Sequence, residues 1–205
     1  MLETYFNPPR GQWNALCERP SSANPAVRSR VESILQRVRE QGDEALRALS
    51  EEIDRRPLGA IEVSAEEIKR ASERVSPQVR KAVAEAEYNI RTFHEAQRPR
   101  EIRVETAPGV CCIQRPVPIQ RVGLYIPGGT APLFSTVLML AVPARIAACP
   151  EIVLCTPAGP DGQVNPAVLY TAASCGVKRI FKIGGAQAIA AMAYGTQTVP
   201  KVDKV

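Results

Sequence analysis

The chain has 205 residues, 45% of them hydrophobic and 23% charged, the make-up of an ordinary globular protein of one or two domains. No charge-free apolar run approaches about 18 residues, and the opening MLETYFNPPRGQW lacks a basic flank followed by an apolar stretch, so neither a spanning helix nor a secretion signal is expected, and a cytoplasmic location is. The net charge of +5 is not gathered into a basic stripe with interleaved aromatics, which argues against nucleic-acid binding, although the six basic against three acidic residues after Val122 suit an anionic ligand.

Residues 1–23 read as an irregular arm with Pro8, Pro9, Pro20 and Ser21-Ser22. Tyr5, Phe6 and Trp13 give it enough apolar surface to require packing on its own body or on a partner subunit. Asn24-Pro25 is a helix start, a capping side chain followed by proline at the first helical position. Val27, Val31, Ile34, Leu35 and Val38 follow at helical spacing, predicting one buried face. Gly42-Asp43 breaks and restarts the pattern, with Ala45, Leu46, Leu49 and Ile53 on the next face. Ser64 and Glu67 form a capping box that opens a third helix through Ile68 and Ala71. Ser76-Pro77 opens a fourth, with Val79, Val83, Ala86, Ile90 and Phe93 in its stripe. His94 sits beside that stripe and reads as a partly exposed helix residue rather than a catalytic base.

Residues 102–106 and 110–114 look like strands around a Pro108-Gly109 turn. Pro116 and Pro118 argue for an edge or a linker, which places a domain boundary near Gln120. The expected organisation is an arm at 1–23, a mostly helical region with a small β segment at 24–120, and a nucleotide-binding domain at 121–205.

From Val122 the rhythm becomes strand, helix, strand, helix, strand, helix. A first apolar run, Val122-Gly123-Leu124-Tyr125-Ile126, is stopped by Pro127-Gly128-Gly129, and a helical pattern follows at once from Ala131 through Leu133, Val137, Leu138, Leu140, Ala141 and Ile146. A second strand at 152–155 ends at Thr156-Pro157, and its helix at 166–174 ends at Gly176. A third at 179–183 ends at Gly184-Gly185, with a helix at 186–194 closed by Gly195. Short apolar runs joined by single helices imply parallel strands with right-handed crossovers, half of a doubly wound α/β sheet. Both glycine turns then fall at strand carboxyl ends on one edge of the sheet, where backbone N–H groups are free and a nucleotide would lie. Three strands make a thin sheet. The strand ending at Ile183 and the segment 199–205 are expected to face solvent as open edges and to recruit partners.

The six cysteines show no C-x-x-C spacing and His94 is the single histidine, so no zinc site is expected within these residues. Cys149, Cys155 and Cys175 read as small core residues, and Cys111-Cys112 as free thiols in a reducing compartment.

The runs RVGLYIPGGTAPLFSTVLMLAVPARIAAC, GGAQAIAAMAYGT and VPKVDKV, with GDEALR, VSAEEI and FHEAQ upstream, resemble the histidinol dehydrogenase family over nearly the whole chain. The resemblance implies incomplete Rossmann-like domains of aldehyde dehydrogenase-like architecture, here preceded by the mostly helical N-terminal region. It implies a zinc-dependent homodimer that oxidises L-histidinol to L-histidine through an aldehyde, using two NAD+. In the family pattern the Tyr of GLYIPGG and the Gln of GGAQAIAA contact NAD, which assigns cofactor binding to Tyr125 and Gln187. Tyr125 offers a ring and a hydroxyl, Gln187 an amide that both donates and accepts. Without the resemblance the two would read as a strand-end core tyrosine and a solvated helix-start glutamine. The family's FGPGN-type motif, zinc ligands and Glu-His catalytic pair have no counterpart in these 205 residues, so no catalytic or metal residue is assigned and this chain alone is expected to be inactive, with weak residual NAD binding. The competing reading is a standalone noncatalytic module that binds a nucleotide or a full-length subunit; the reading frame after Val205 would separate the two.

Overall fold

The computed structural model describes residues 3–18, 24–129 and 131–205. The N-terminal arm is not irregular as expected. A 3-10 turn at Arg10–Gln12 leads into a short helix α1 (Trp13–Cys17). The turn follows Pro9, whose φ of −63° and ψ of 150° are extended, and the Trp13 Nε1–H donates to the Pro8 carbonyl at 2.9 Å. A single turn of helix needs only such local bonds and leaves no apolar stripe to read. Tyr5, Phe6 and Trp13 remain 53%, 93% and 50% exposed, so they do not pack on the body. Pro20 and Ser21-Ser22 lie outside the described residues.

The start signals of the next helices are realised atom by atom. In α2 (Pro25–Gln41) the Asn24 Oδ1 accepts the Ala26 N–H at 3.0 Å. Gly42, with φ of 58°, separates it from α3 (Asp43–Asp54). Ser64 and Glu67 close their capping box in both directions at 3.1 and 3.0 Å and open α4 (Ala65–Arg74). Ser76 caps α5 (Pro77–Ala96) through the Val79 N–H at 3.3 Å. Buried positions follow the predicted stripes through Ile34, Val38, Ala45, Leu46, Leu49, Ala71 and Val83. The stripes overreach at their ends. Val27 is 58% and Phe93 64% exposed, because periodicity marks which face can be buried, not how far the neighbouring element extends. His94 is half-buried and meets Phe93 edge to face at 5.6 Å.

Strands β1 (Ile102–Ala107) and β2 (Val110–Gln114) form an antiparallel hairpin pairing Ile102 with Gln114 and Val104 with Cys112. Its turn uses Gly109 at φ of 80°. Every residue of both strands is exposed.

Strands β3 (Arg121–Tyr125), β4 (Glu151–Cys155) and β5 (Arg179–Phe181) form a parallel sheet in the order β3-β4-β5, connected through α6 (Phe134–Ile146) and α7 (Pro166–Ser174) and followed by α8 (Gly185–Tyr194). The α/β class and the parallel pairing are those read from the strand–helix alternation. Two boundaries move. Helix α6 starts at Phe134 rather than straight after Gly129; Leu133 before it has a ψ of 51°, outside the helical range. On its length Leu140 is 37% exposed, outside the buried stripe. Strand β5 ends at Phe181, two residues short of the expected 183.

Alternation along the strands divides the core in two. Val122, Leu124, Ile126, Ile152, Leu154 and Ile180 face one way, onto Ala71, Val83, Leu138 and Leu169 of α4 to α7. Val153, Cys155 and Phe181 face the other way, onto Ile34, Leu46, Leu49 and Met192 of α2, α3 and α8. The result is a sheet covered on both faces, and each core joins residues from both sides of Gln120. Fully burying a side chain such as Leu46 or Phe181 is worth about 1.5–3 kcal/mol. Gly123 is demanded by this packing: a Cβ there would lie 2.6 Å from the Met192 sulfur, so α8 rests directly on the β3 backbone.

The sheet edges are not open, contrary to the expectation from three strands. Beyond β5, the Val63 N–H donates to Ile180 O and the Lys182 N–H to Ile61 O, both at 2.8 Å. Beyond β3, the Gly123 N–H donates to Lys204 O and the Asp203 N–H to Arg121 O, both at 2.8 Å, and Arg121 pairs with Asp203 at 3.0 Å. Val199 and Val202 are 0% and 5% exposed. Two segments without regular strand patterning, one between α3 and α4 and one after α8, therefore supply the edge hydrogen bonds.

Candidate functional site

The three parallel strands deliver three turns to one edge. Ile126-Pro127-Gly128-Gly129 follows β3, Thr156-Pro157 follows β4, and Lys182-Ile183-Gly184-Gly185 follows β5. The ladder continues one residue past the strands, through Ile126 N–H to Cys155 O at 2.9 Å and Thr156 N–H to Phe181 O at 3.0 Å. The Pro157 ring then wedges between the two glycine turns. A Cβ on Gly128 would meet Pro157 Cγ at 2.5 Å, and one on Gly184 would meet Pro157 Cβ at 2.8 Å. These two glycines are therefore required by protein packing. Gly129 differs: an added Cβ would have nothing within 4 Å, so its backbone faces open space.

Tyr125 and Gln187 meet at Gly185. The Gly185 N–H, first in α8, donates to the Tyr125 hydroxyl at 2.9 Å. Gly185 has φ of 63°, and a Cβ on it would lie 2.7 Å from Gln187 Oε1. Tyr125 is half-buried against the α8 core, and Gln187 is only 3% exposed. A solvated helix-start glutamine is thus not what the structure holds. Gln187 presents a polar amide from an almost fully buried position. The first and third strand-end turns are joined by a tyrosine hydroxyl that Phe could not supply.

Two clefts flank Pro157. One of about 500 Å3 runs along Pro127, Gly128 and Gly129 to Thr156, Asn165 and Arg74. The other, about 310 Å3, lies between Ser50, Arg56, Leu58, Lys182 and Gly184. A third, of about 380 Å3, lies between α4 and α7. Tyr125 and Gln187 line none of these three.

Sequence reading missed the residues that hold this edge. The Arg56 guanidinium donates to Ala158 O at 2.9 Å and also to Gly159 O, clamping the loop that carries Pro157. Arg56 is itself held by the Ser50 hydroxyl, which donates to its carbonyl at 3.0 Å. No local pattern announces a contact across a hundred residues of chain. Lys182 did leave a signal, a cation set between the apolar Phe181 and Ile183. Its Nζ meets Glu67 Oε1 at 2.5 Å. Burial pushes the Glu67 carboxyl up, but hydrogen bonds from Lys182 and from the Ser64 N–H outweigh it and hold the group below its ordinary value.

Burial raises the Cys155 thiol to about 12 and the Cys175 thiol to about 11, so both are protonated and unreactive near neutrality. Among the described residues no group of three or more His, Cys, Asp or Glu side chains is placed to hold a metal ion. The donor set of these residues does not fit a zinc ion. The edge offers the open Gly129 backbone along the cleft, with the Tyr125 ring and the buried Gln187 amide behind it.

The family model for histidinol dehydrogenase matches residues 17–205. The chain is 49% identical over 205 residues to histidinol dehydrogenase of Bacteroides thetaiotaomicron, covering all of this chain and 48% of that one. It is 52% identical over 195 residues to that of Escherichia coli K12, covering 95% of this chain and 44% of the relative. The crystal structure of histidinol dehydrogenase from Elizabethkingia anophelis superimposes with a TM-score of 0.91 at 43% identity, over 97% of this chain and 46% of that one. The chain thus spans about half the length of the curated relatives it matches.

Proposed function

Since the chain belongs to the histidinol dehydrogenase family, we propose that it forms the cofactor-binding part of an enzyme that oxidises L-histidinol to L-histidine with NAD+, working in the cytoplasm as a zinc-dependent homodimer. The observation that carries the reading is the Tyr125 hydroxyl on the Gly185 N–H, beside the buried Gln187 amide. It brings the two residues of the family pattern to one point on the carboxyl edge of a parallel sheet, where ligands of such sheets lie. We assign that role to residues 121–205, with 24–120 as the helical region and 1–23 as the arm.

Bound NAD+ would supply the acceptor for hydride from the alcohol carbon. The chain's own contribution is to hold it. Tyr125 offers its ring as a wall and its hydroxyl as the tie that keeps the Gly184-Gly185 turn in place. Gln187 can donate to one polar group and accept from another without first being desolvated. These 205 residues contain one histidine and so do not themselves supply the general base and two-histidine metal site of the family pattern; taken alone they are expected to give no turnover.

Titration of NAD+ into the chain by calorimetry or NMR tests the site. Strand-end turns of a single sheet give one wall, and each missing polar contact costs on the order of 1 kcal/mol, so binding weaker than micromolar is expected. Tyr125→Ala and Gln187→Ala should each weaken it further. Binding unmoved by both substitutions would refute the placement.

A further inference from the structure

We propose that Arg70 and Arg74 of α4 form a phosphate-binding wall beside the glycine turns and take the phosphate groups of the dinucleotide, an assignment that rests on the cofactor reading above. The cavity of about 380 Å3 between α4 and α7 is lined by three cations, Arg70, Arg74 and Lys182, and by one carboxylate, Glu67. The charge of Glu67 is already used. Its Oε1 takes Lys182 at 2.5 Å and its Oε2 accepts the Ser64 N–H at 3.0 Å.

The two arginines are held far less firmly. Arg70 lies 3.9 Å from Glu66 with both side chains 65% exposed, a pairing of little strength in water. Arg74 donates to the neutral Gln163 amide oxygen at 3.3 Å. Spaced four residues apart, the two arginines share one face of α4. Guanidinium groups bind phosphate oxygens two at a time, which an amine cannot do.

Position adds to charge. The cleft that contains Gly128-Gly129 shares Arg74, Gln163, Val164 and Pro166 with the basic cavity, so Arg74 stands where the two meet. Pro166 opens α7, whose positive end favours an anion there. The other acid on these walls, Asp161, is turned into its own loop, where its Oδ1 accepts the Gln163 N–H at 3.0 Å. An extended phosphorylated ligand lying on the glycine turn therefore runs onto the arginines.

The test is titration of inorganic pyrophosphate, and separately of NAD+, into the 205-residue chain, followed by NMR including the arginine Nε–H signals. Wild type is compared with Arg70→Gln/Arg74→Gln, and with Arg28→Gln/Arg30→Gln, which removes the same charge from the exposed start of α2. All four arginines are exposed, and unchanged thermal unfolding confirms that the variants fold. Saturable pyrophosphate binding, weakened at least about tenfold by the α4 pair and hardly by the α2 pair, is expected, with NAD+ weakened in parallel. Equal loss with both pairs, or no saturable binding, would overturn the wall. Loss of pyrophosphate with NAD+ unaffected would overturn its assignment to the dinucleotide. Failure of the cofactor reading would look different: NAD+ binding indifferent to Tyr125→Ala and Gln187→Ala, with pyrophosphate still dependent on Arg74.

Discussion

The parallel sheet and the β1-β2 hairpin are built from similar residues and end in opposite states. Ile180, Phe181, Val153 and Leu154 are at 0% exposure, whereas Ile102, Val104, Val110 and Ile113 of the hairpin lie between 47% and 53%. Both segments satisfy their ladders, so hydrogen bonding does not separate them. Coverage does. Helices cover both faces of the parallel sheet, α4 to α7 on one and α2, α3 and α8 on the other, while the hairpin turns back on itself and among the described residues buries neither face under a helix. Apolar character in a strand thus says that burial would be favourable, and connectivity decides whether it happens.

The sharpest way to break this comparison is to truncate one side chain in each region. Phe181→Ala should cost about 3–5 kcal/mol in denaturant unfolding, because both sheet faces are packed and the void cannot collapse. Ile113→Ala in the hairpin should cost less than about 1 kcal/mol. Comparable losses would mean that the hairpin is buried in solution.

A smaller effect separates the glycines of the site edge. Gly128→Ala and Gly184→Ala each drive a methyl into Pro157 and should cost about 1–3 kcal/mol, as overpacking does. Gly129→Ala, with open space around it, should stay within about 0.5 kcal/mol. If Gly129 proved as intolerant as its neighbour, the open cleft beside it would be misplaced.

Tyr125→Phe removes one hydrogen bond and leaves the ring. About 0.5–1.5 kcal/mol of stability should be lost, together with faster amide exchange at Gly185. Unchanged exchange there would dissolve the tie between the first and third turns.

The last effect is one of pH. The Glu67 carboxyl is depressed in the folded chain below its ordinary value of 4.5, so its contribution is complete above that value and fades as pH falls through the folded one. Stability of wild type relative to Glu67→Gln should be constant near neutrality and shrink in acid. A difference that grew on acidification would show that burial, not Lys182 and the Ser64 N–H, dominates at Glu67.

Much of this architecture could be read along the chain, because the signals are local. Asn24-Pro25, the Ser64–Glu67 box and Ser76-Pro77 start helices through bonds spanning only a few residues. The glycine stops and the strand–helix rhythm predicted a parallel sheet, since single helices between short apolar runs leave few other connections. The resemblance picked out Tyr125 and Gln187, and their meeting at Gly185 followed only when β3 and α8 came together. Other features depended on residues distant in sequence, to which local periodicity is blind. Residues 61–63 and 203–204 close the sheet edges with backbone bonds that carry no side-chain signature. Arg56 grips a loop about a hundred residues away, and Pro157 explains two glycines that sequence could attribute only to turns or to a ligand. Local composition determined which segments would be helices, strands and turns, because those depend on dihedral preference and near-neighbour bonds. Which edges were sealed, which apolar strands were buried and which cations surround the glycine turns were decided by tertiary packing, since each needs groups from different parts of the chain in one place.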